Sequence, residues 1–172
     1  MIAIVTDSVA NFPPGLAEQH GIRTVPYVVF WDGREYLDGI EVQPSELYRA
    51  MRRYRTSIST STPSLGDFTK AFQEASKGAD GIVSIHLSAG LSAGYNHAVE
   101  ATRIADLPCP IRLIDTRSIG MAQGFVVLAA ARLAAQGGTL EEIERIVLKA
   151  RDDLFFLAVF DTLEYLFRGG RL

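Results

Sequence analysis

The sequence predicts an α/β fold, a mostly parallel sheet flanked by helices. Three observations carry this. A continuous apolar run at the N-terminus, Ile2 to Val5, is closed at once by Thr6, Asp7 and Ser8. Two further short apolar segments follow, Gly81 to Leu87 and Ile111 to Ile114, and helical periodicity fills the stretches around them. Continuous rather than alternating apolar runs mark strands buried on both faces, and strands alternating with crossover helices build parallel sheets.

Taken in order, Ile2 to Val5 is the first strand. Pro13 and Pro14 suit a first helical turn, continued by Leu16 to His20 and stopped by Gly21. Val25 to Trp31, then Asp32-Gly33, then Arg34 to Leu37 predict a hairpin with a two-residue turn. Pro44 to Tyr54 is helical, with apolar residues at 47, 48, 50 and 51, and so is Ser64 to Ala75, with Phe68, Ala71, Phe72 and Ala75. Thr56 to Pro63 between them is a hydroxyl-rich loop. A helix over Leu91 to Ala105 follows the Gly81 strand. Two more, Gly120 to Gln136 and Leu140 to Asp153, follow the Ile111 strand and are split by Gly137-Gly138. Leu154 to Phe160 reads as a closing strand, and Thr162 to Phe167 starts a last helix.

With 172 residues, 48% hydrophobic and 22% charged, the chain is long enough for its own core and is neither disordered nor low in complexity. Seventeen basic residues against 20 acidic ones give a net charge of -3, which argues against a general polyanion-binding surface. The single cysteine, Cys109, stands between Pro108 and Pro110 with no base beside it and reads as a small apolar residue in a reducing compartment. The N-terminus lacks the features of a secretory signal. The most apolar run, Phe125 to Ala135, is broken by Arg132 and falls short of the roughly 20 residues of a membrane span. A soluble, cytoplasmic protein is expected.

In doubly wound sheets ligands sit outside the carboxyl ends of the strands, and here those ends are rich in hydroxyls. They carry Thr6, Asp7 and Ser8; Ser88, Ala89, Gly90, Leu91 and Ser92; and Asp115, Thr116 and Ser118. The loop before the Ser64 helix adds Ser57, Ser59, Thr60, Ser61 and Thr62. Hydroxyls beside helix N-termini make an anion site suited to a carboxylate or phosphate. Ser8, Ser64 and Ser88 or Ser92 equally suit plain helix capping.

Catalytic alternatives are thin. His20, His86 and His97 are scattered, so no metal site is expected. His86 and Ser88, two apart at a strand end, share a face and could pair as base and nucleophile. No Gly-x-Ser-x-Gly elbow surrounds Ser88, however. Gly90 and Gly94 make no dinucleotide fingerprint and there is no phosphate loop, so no cofactor is expected. The alternative function is an enzyme, a hydrolase or phosphoryl-transfer catalyst acting on a small anion through His86, Ser88 or Asp7. Arg49, Arg52, Arg53 and Arg55 form the one basic cluster, read either as a solvated helix end offsetting the dipole or as a docking patch for an acidic or phosphorylated group.

Taken together these segments resemble the DegV family. Ile4-Val5-Thr6-Asp7-Ser8 is similar to its first strand and aspartate turn. Val25-Pro26 with Asp32-Gly33, Tyr36, Asp38-Gly39 and Tyr48 resembles its second stretch. Thr60-Ser61-Thr62-Pro63-Ser64 with Gly66-Asp67-Phe68 resembles its hydroxyl loop, and Leu87-Ser88, Leu91-Ser92 and Tyr95 its serine-rich turn. Asp115-Thr116 and Leu163-Glu164-Tyr165-Leu166, leading into Gly169-Gly170-Arg171, complete a match along the whole chain.

The resemblance implies a fatty-acid-binding protein, not itself a catalyst. It would hold a long acyl chain in an apolar tunnel with the carboxylate at a hydroxyl-rich mouth, and present it to a separate fatty-acid kinase. By position it implies a head-group site of Thr60, Ser61, Ser88, Ala89, Gly90 and Ser92, held by Thr60, Ser88 and backbone amides near Gly90. Thr6, Asp7, Ser8 and Asp115 would support the rim, and Arg171 would face a partner. The chain departs from the pattern where a second serine is Ala89, a glutamine is Thr62, and Gly-Thr after Ser92 is Ala93-Gly94. It also implies a DegV N-terminal domain over 1–160, with 161–172 opening the connection to a second domain not contained in these residues. An apolar groove left exposed would drive self-association.

Overall fold

The computed structural model describes residues 1–54 and 58–172. Four parallel strands form the main sheet: β1 (Ile2–Asp7), β2 (Ile22–Val25), β6 (Gly81–His86) and β7 (Ile111–Asp115), in the order β2-β1-β6-β7. A three-stranded antiparallel sheet holds β3 (Val28–Trp31), β4 (Arg34–Leu37) and β5 (Ser59–Ser61), in the order β4-β3-β5. The helices are α1 (Leu16–Gln19), α2 (Pro44–Tyr54), α3 (Leu65–Ser76), α4 (Gly94–Ile104), α5 (Met121–Ala135), α6 (Leu140–Asp152) and α7 (Glu164–Arg168). A short 3-10 turn spans Ser8–Ala10.

The period of two along β1 and β6 divides the core. Ile4, Val83 and Ile85 turn to one face with Val126 and Val127 of α5 and Ile143 and Val147 of α6. Val5 and Ile82 turn to the other, against Phe68 and Phe72 of α3 and Ala98 and Ala101 of α4. Burying both faces is why these strands read as unbroken apolar runs. The small sheet has its own cluster, in which Val29, Val42 and Leu47 of α2 are buried. Capping boxes start α3, where Ser64 and Asp67 exchange bonds, and α6, where Thr139 and Glu142 do so.

The predicted β3–β4 hairpin turns through Asp32 and Gly33, both at positive φ (52° and 72°) as a tight hairpin of this hand requires. The segment leading into it divides. Ile22–Val25 joins the main sheet beside β1, and the chain crosses at Pro26-Tyr27 into the small sheet. Pro13 and Pro14 lie before α1 rather than in its first turn. The hydroxyl-rich loop is in part a strand, because Ser59–Ser61 satisfies its backbone against β3, with Thr60 opposite Val29. Leu154–Phe160 forms no strand. It pairs with none of the described residues' strands, and Phe155, Leu157 and Val159 are 73 to 88% exposed. Arg55 and Ser57 lie outside the described residues, while Arg49 and Arg52 are exposed on α2.

Candidate functional site

Register brings the carboxyl ends of the parallel strands level, since Thr6 stands opposite Ile85 and His86 opposite Asp115. Behind this edge lies a sealed polar network. Asp7, fully buried, accepts four hydrogen bonds. Oδ1 takes the Val9 amide at 3.1 Å and Gln123 Nε2 at 3.0 Å, and Oδ2 takes His86 Nδ1 at 2.9 Å and the Leu87 amide at 3.2 Å. The other ring nitrogen of His86 lies 2.7 Å from Ser84 Oγ. Thr6 donates to the Ile85 carbonyl at 2.7 Å and accepts from Gln123 at 3.1 Å. The serine that meets His86 is therefore Ser84 and not Ser88. Ser84 and His86 share a face of β6, whereas the strand ends at His86 and the turn carries Ser88 away.

The serine turn after β6 is held from below. Ser88 donates its amide to the Ser118 carbonyl at 2.9 Å, Ala89 to Asp115 Oδ1 at 3.3 Å, and Gly90 to Ser88 Oγ at 3.2 Å. The amides of Leu91 and Ser92 both donate to the Ser88 carbonyl. Every amide from 88 to 92 is engaged within the chain. Only side-chain hydroxyls remain as donors at this turn. Ser88 and Ser92 are half-buried, Ala89 carries no hydroxyl, and Gly90 is exposed.

Tyr27, at the entry to β3, ties the small sheet to both the serine turn and the turn after β1. Tyr27 Oη lies 2.9 Å from Ser92 Oγ, and the Tyr27 amide donates to Ser8 Oγ at 3.1 Å. On α4, His97 Nδ1 donates to the Pro63 carbonyl at 3.0 Å and lies 3.1 Å from Thr62 Oγ1. Thr60 and Tyr27 line a narrow cavity of about 170 Å³ whose other walls include Val9, Val29, Leu47 and Ile58. Thr60 and Ser61 are exposed on β5. A larger, more polar cleft of about 390 Å³ adjoins this cavity, sharing Asn11 and Asp38 and lined also by Ser8 and Phe12.

Burial pushes the Tyr27 phenol above the ordinary tyrosine range. The negative charge of Asp7 adds to this, while the bond to Ser92 and the positive charge of Arg171 oppose it. Tyr27 is therefore a neutral hydroxyl. Burial also raises the Asp38 carboxyl, opposed by its bond to Ser8. Arg171 is exposed and donates to the Gly169 carbonyl at 2.6 Å. Where the resemblance implies Gly-Thr at 93 and 94, Gly94 leaves a space that the Tyr27 hydroxyl fills, and any Cβ at 94 would clash with Oη. Among the described residues no group of His, Cys, Asp or Glu is arranged to hold a metal, and no helix is long and apolar enough to cross a membrane.

A family model described as "Uncharacterised protein, DegV family" matches residues 1–172. The chain belongs to the DegV family. A DegV domain-containing protein of Streptomyces coelicolor is 42% identical over 172 residues, covering 99% of this chain and 60% of the relative. Protein DegV of Bacillus subtilis is 32% identical over 176 residues, covering 99% of the chain and 61% of the relative. Among solved structures, a DegV family protein from Thermus thermophilus, described for its fatty acid binding, superposes with a TM-score of 0.89 at 34% identity. DegV from Bacillus subtilis, described as a fatty acid binding protein, superposes with a TM-score of 0.89 at 31% identity. Each structure is covered over 60% of its length and covers 99% of this chain. The chain thus spans about 60% of the length of the DegV relatives it matches.

Sequence reasoning missed Tyr27, His97, Ser84 and Gln123 in this DegV site. Tyr27 and His97 read as a hairpin aromatic and a scattered histidine, and only the tertiary arrangement shows that they tie β3 and the hydroxyl segment to α4 and its leading turn.

Proposed function

We propose that this chain binds a long-chain fatty acid, with its tail entering the apolar cavity beside Thr60 and its carboxylate at the rim of hydroxyls from Thr60, Ser61, Ser88 and Ser92. The observation that supports the reading is a largely apolar cavity lined by Thr60 and by Tyr27, whose hydroxyl meets Ser92, in a fold closely similar to two DegV proteins described as fatty acid binding. A buried carboxylate needs donors, and hydroxyls supply them without a fixed positive charge.

The reading includes no catalysis by the chain itself. His86 and Asp7 are fully buried and engaged with each other, which supports a bracing rather than a proton-transferring role for both. In the same reading the chain works in the cytoplasm and offers the acid to a fatty-acid kinase, with Arg171 facing that partner. Residues 1–160 are the lipid-binding domain and 161–172 the connection beyond it. The exposed apolar row over 155–167 is buried against protein, a second copy in the isolated chain.

Native mass spectrometry of chain purified from cells tests the proposal. A co-purifying long unbranched carboxylic acid is expected. Absence of such an adduct, together with failure to retain added palmitate, would refute it.

A further inference from the structure

The Tyr27–Ser92 pair has one more hydrogen than the chain uses. Ser92 Oγ accepts from the Gly94 amide at 3.4 Å and shares a hydroxyl bond with Tyr27 Oη at 2.9 Å. A serine hydroxyl has two acceptor sites and one donor, and a neutral phenol likewise carries one hydrogen. Whichever oxygen donates within the pair, one hydroxyl hydrogen is left over. No acceptor for it is found among the described residues.

The surroundings decide which hydrogen that is. Tyr27 is 6% exposed and its hydroxyl is wedged against Gly94, where even a Cβ would clash with it, so the phenol has little room for a third partner. Ser92, on the serine turn, is less buried than Tyr27. With the phenol donating and the Gly94 amide filling the second acceptor site, the Ser92 hydrogen is the one that points outward. The Tyr27 backbone is fixed by Ser8, and its ring lines the same cavity as Thr60. One residue thus spans from the apolar wall to the polar rim.

We propose that Tyr27 is a positioning residue that sets the donor direction of Ser92, so that the pair selects an anionic oxygen acceptor such as a carboxylate over a neutral head group at the mouth of the cavity. This rests on the fatty-acid reading above. An acid presents only acceptors to the Ser92 hydrogen, and a hydrogen bond to a charged acceptor is about twice as strong as one to a neutral one. An alcohol of the same chain length makes only the weaker kind.

The test compares palmitate with hexadecanol, titrated against the 172-residue chain and against Tyr27→Phe and Ser92→Ala, with folding checked by circular dichroism. Tyr27→Phe keeps the ring in the cavity wall and removes only the hydroxyl. It should weaken palmitate about tenfold while changing hexadecanol by less than about twofold. Ser92→Ala should give the same selective loss, and the double variant should lose no more than either single one. If Tyr27→Phe does not fold, the selective loss in Ser92→Ala remains the deciding measurement. Wild-type binding of palmitate with unchanged acid-to-alcohol preference in the folded variants overturns this proposal alone. Wild-type failure to bind palmitate overturns the fatty-acid reading together with it.

Discussion

His86 Nδ1 stands 2.9 Å from Asp7 Oδ2, with both side chains fully buried at the carboxyl ends of neighbouring parallel strands. A carboxylate can only accept, so the imidazole carries its hydrogen on Nδ1 and turns Nε2 to Ser84. The same carboxylate takes the Leu87 amide, the first link of the serine turn. This pair fixes where β6 ends and the turn begins.

Asp7→Asn should therefore destabilise the chain by about 3 kcal/mol, because an amide nitrogen would replace one acceptor oxygen and face a buried donor. Urea unfolding followed by far-ultraviolet circular dichroism measures this. A change under about 1 kcal/mol would show that the network is not a brace.

At the proposed head-group rim, Thr60→Ala should cost at least about tenfold in palmitate retention, the loss of one charge-assisted hydrogen bond. Thr60 is exposed on a short strand, so folding stability should hardly move. Ala89→Ser, which adds a hydroxyl beside Ser88, is expected to raise retention. Equal retention by wild type and Thr60→Ala would remove Thr60 from the site.

Asp38 gives a pH dependence of definite sign. Burial raises its folded carboxyl above the ordinary aspartate value, so the folded state binds a proton more tightly than the unfolded chain does. Its ionised form costs stability above the folded value, and the cost is relieved as pH falls from there to the ordinary aspartate range. Asp38→Asn should accordingly be more stable than wild type at neutral pH, with the gain fading in acid. Thermal melts from neutral pH down to about pH 4 trace the two curves. A gain that grows toward acid would contradict the assignment.

Ser64→Ala removes the side-chain half of the capping box that starts α3 and should cost about 1 kcal/mol with little effect on lipid retention. Denaturant midpoints measure the first effect and palmitate binding the second. An unchanged midpoint would mean that water replaces the cap without loss.

The apolar row over 155–167 should govern the state of association. Phe155→Asp with Val159→Asp, both at residues nearly 90% exposed, should shift the chain toward monomer in sedimentation velocity. Identical profiles for wild type and the double variant would show that this row joins no two copies.

The central strands β1 and β6 were legible because burial on both faces leaves short apolar runs, whereas β2 was not, since only the first and last residues of Ile22–Val25 are buried. The Asp32-Gly33 turn was legible because so few residue pairs accept two positive φ angles. β5 was not, since Ser59, Thr60 and Ser61 have no apolar alternation and become a strand only because β3 offers an unpaired edge. Leu154–Phe160 misled for the opposite reason, its apolar run matching a buried strand without any information on what would pair with it. In the site, residue types pointed to hydroxyl donors at the right sheet edge. They could not show that the amides of 88–92 are consumed locally by Ser88, Asp115 and Ser118, because those bonds depend on how the turn folds over β7.

The approach of the Tyr27 hydroxyl to Gly94 ties two positions 67 apart in sequence into one steric unit. Any side chain at 94 would collide with the phenol, and a residue at 27 much smaller than an aromatic ring would leave a void at the foot of α4. Substitutions here should be tolerated in pairs, a small residue at 27 entering with a larger one at 94. A library that varies the two sites jointly would therefore recover folded variants that scanning either site alone would discard.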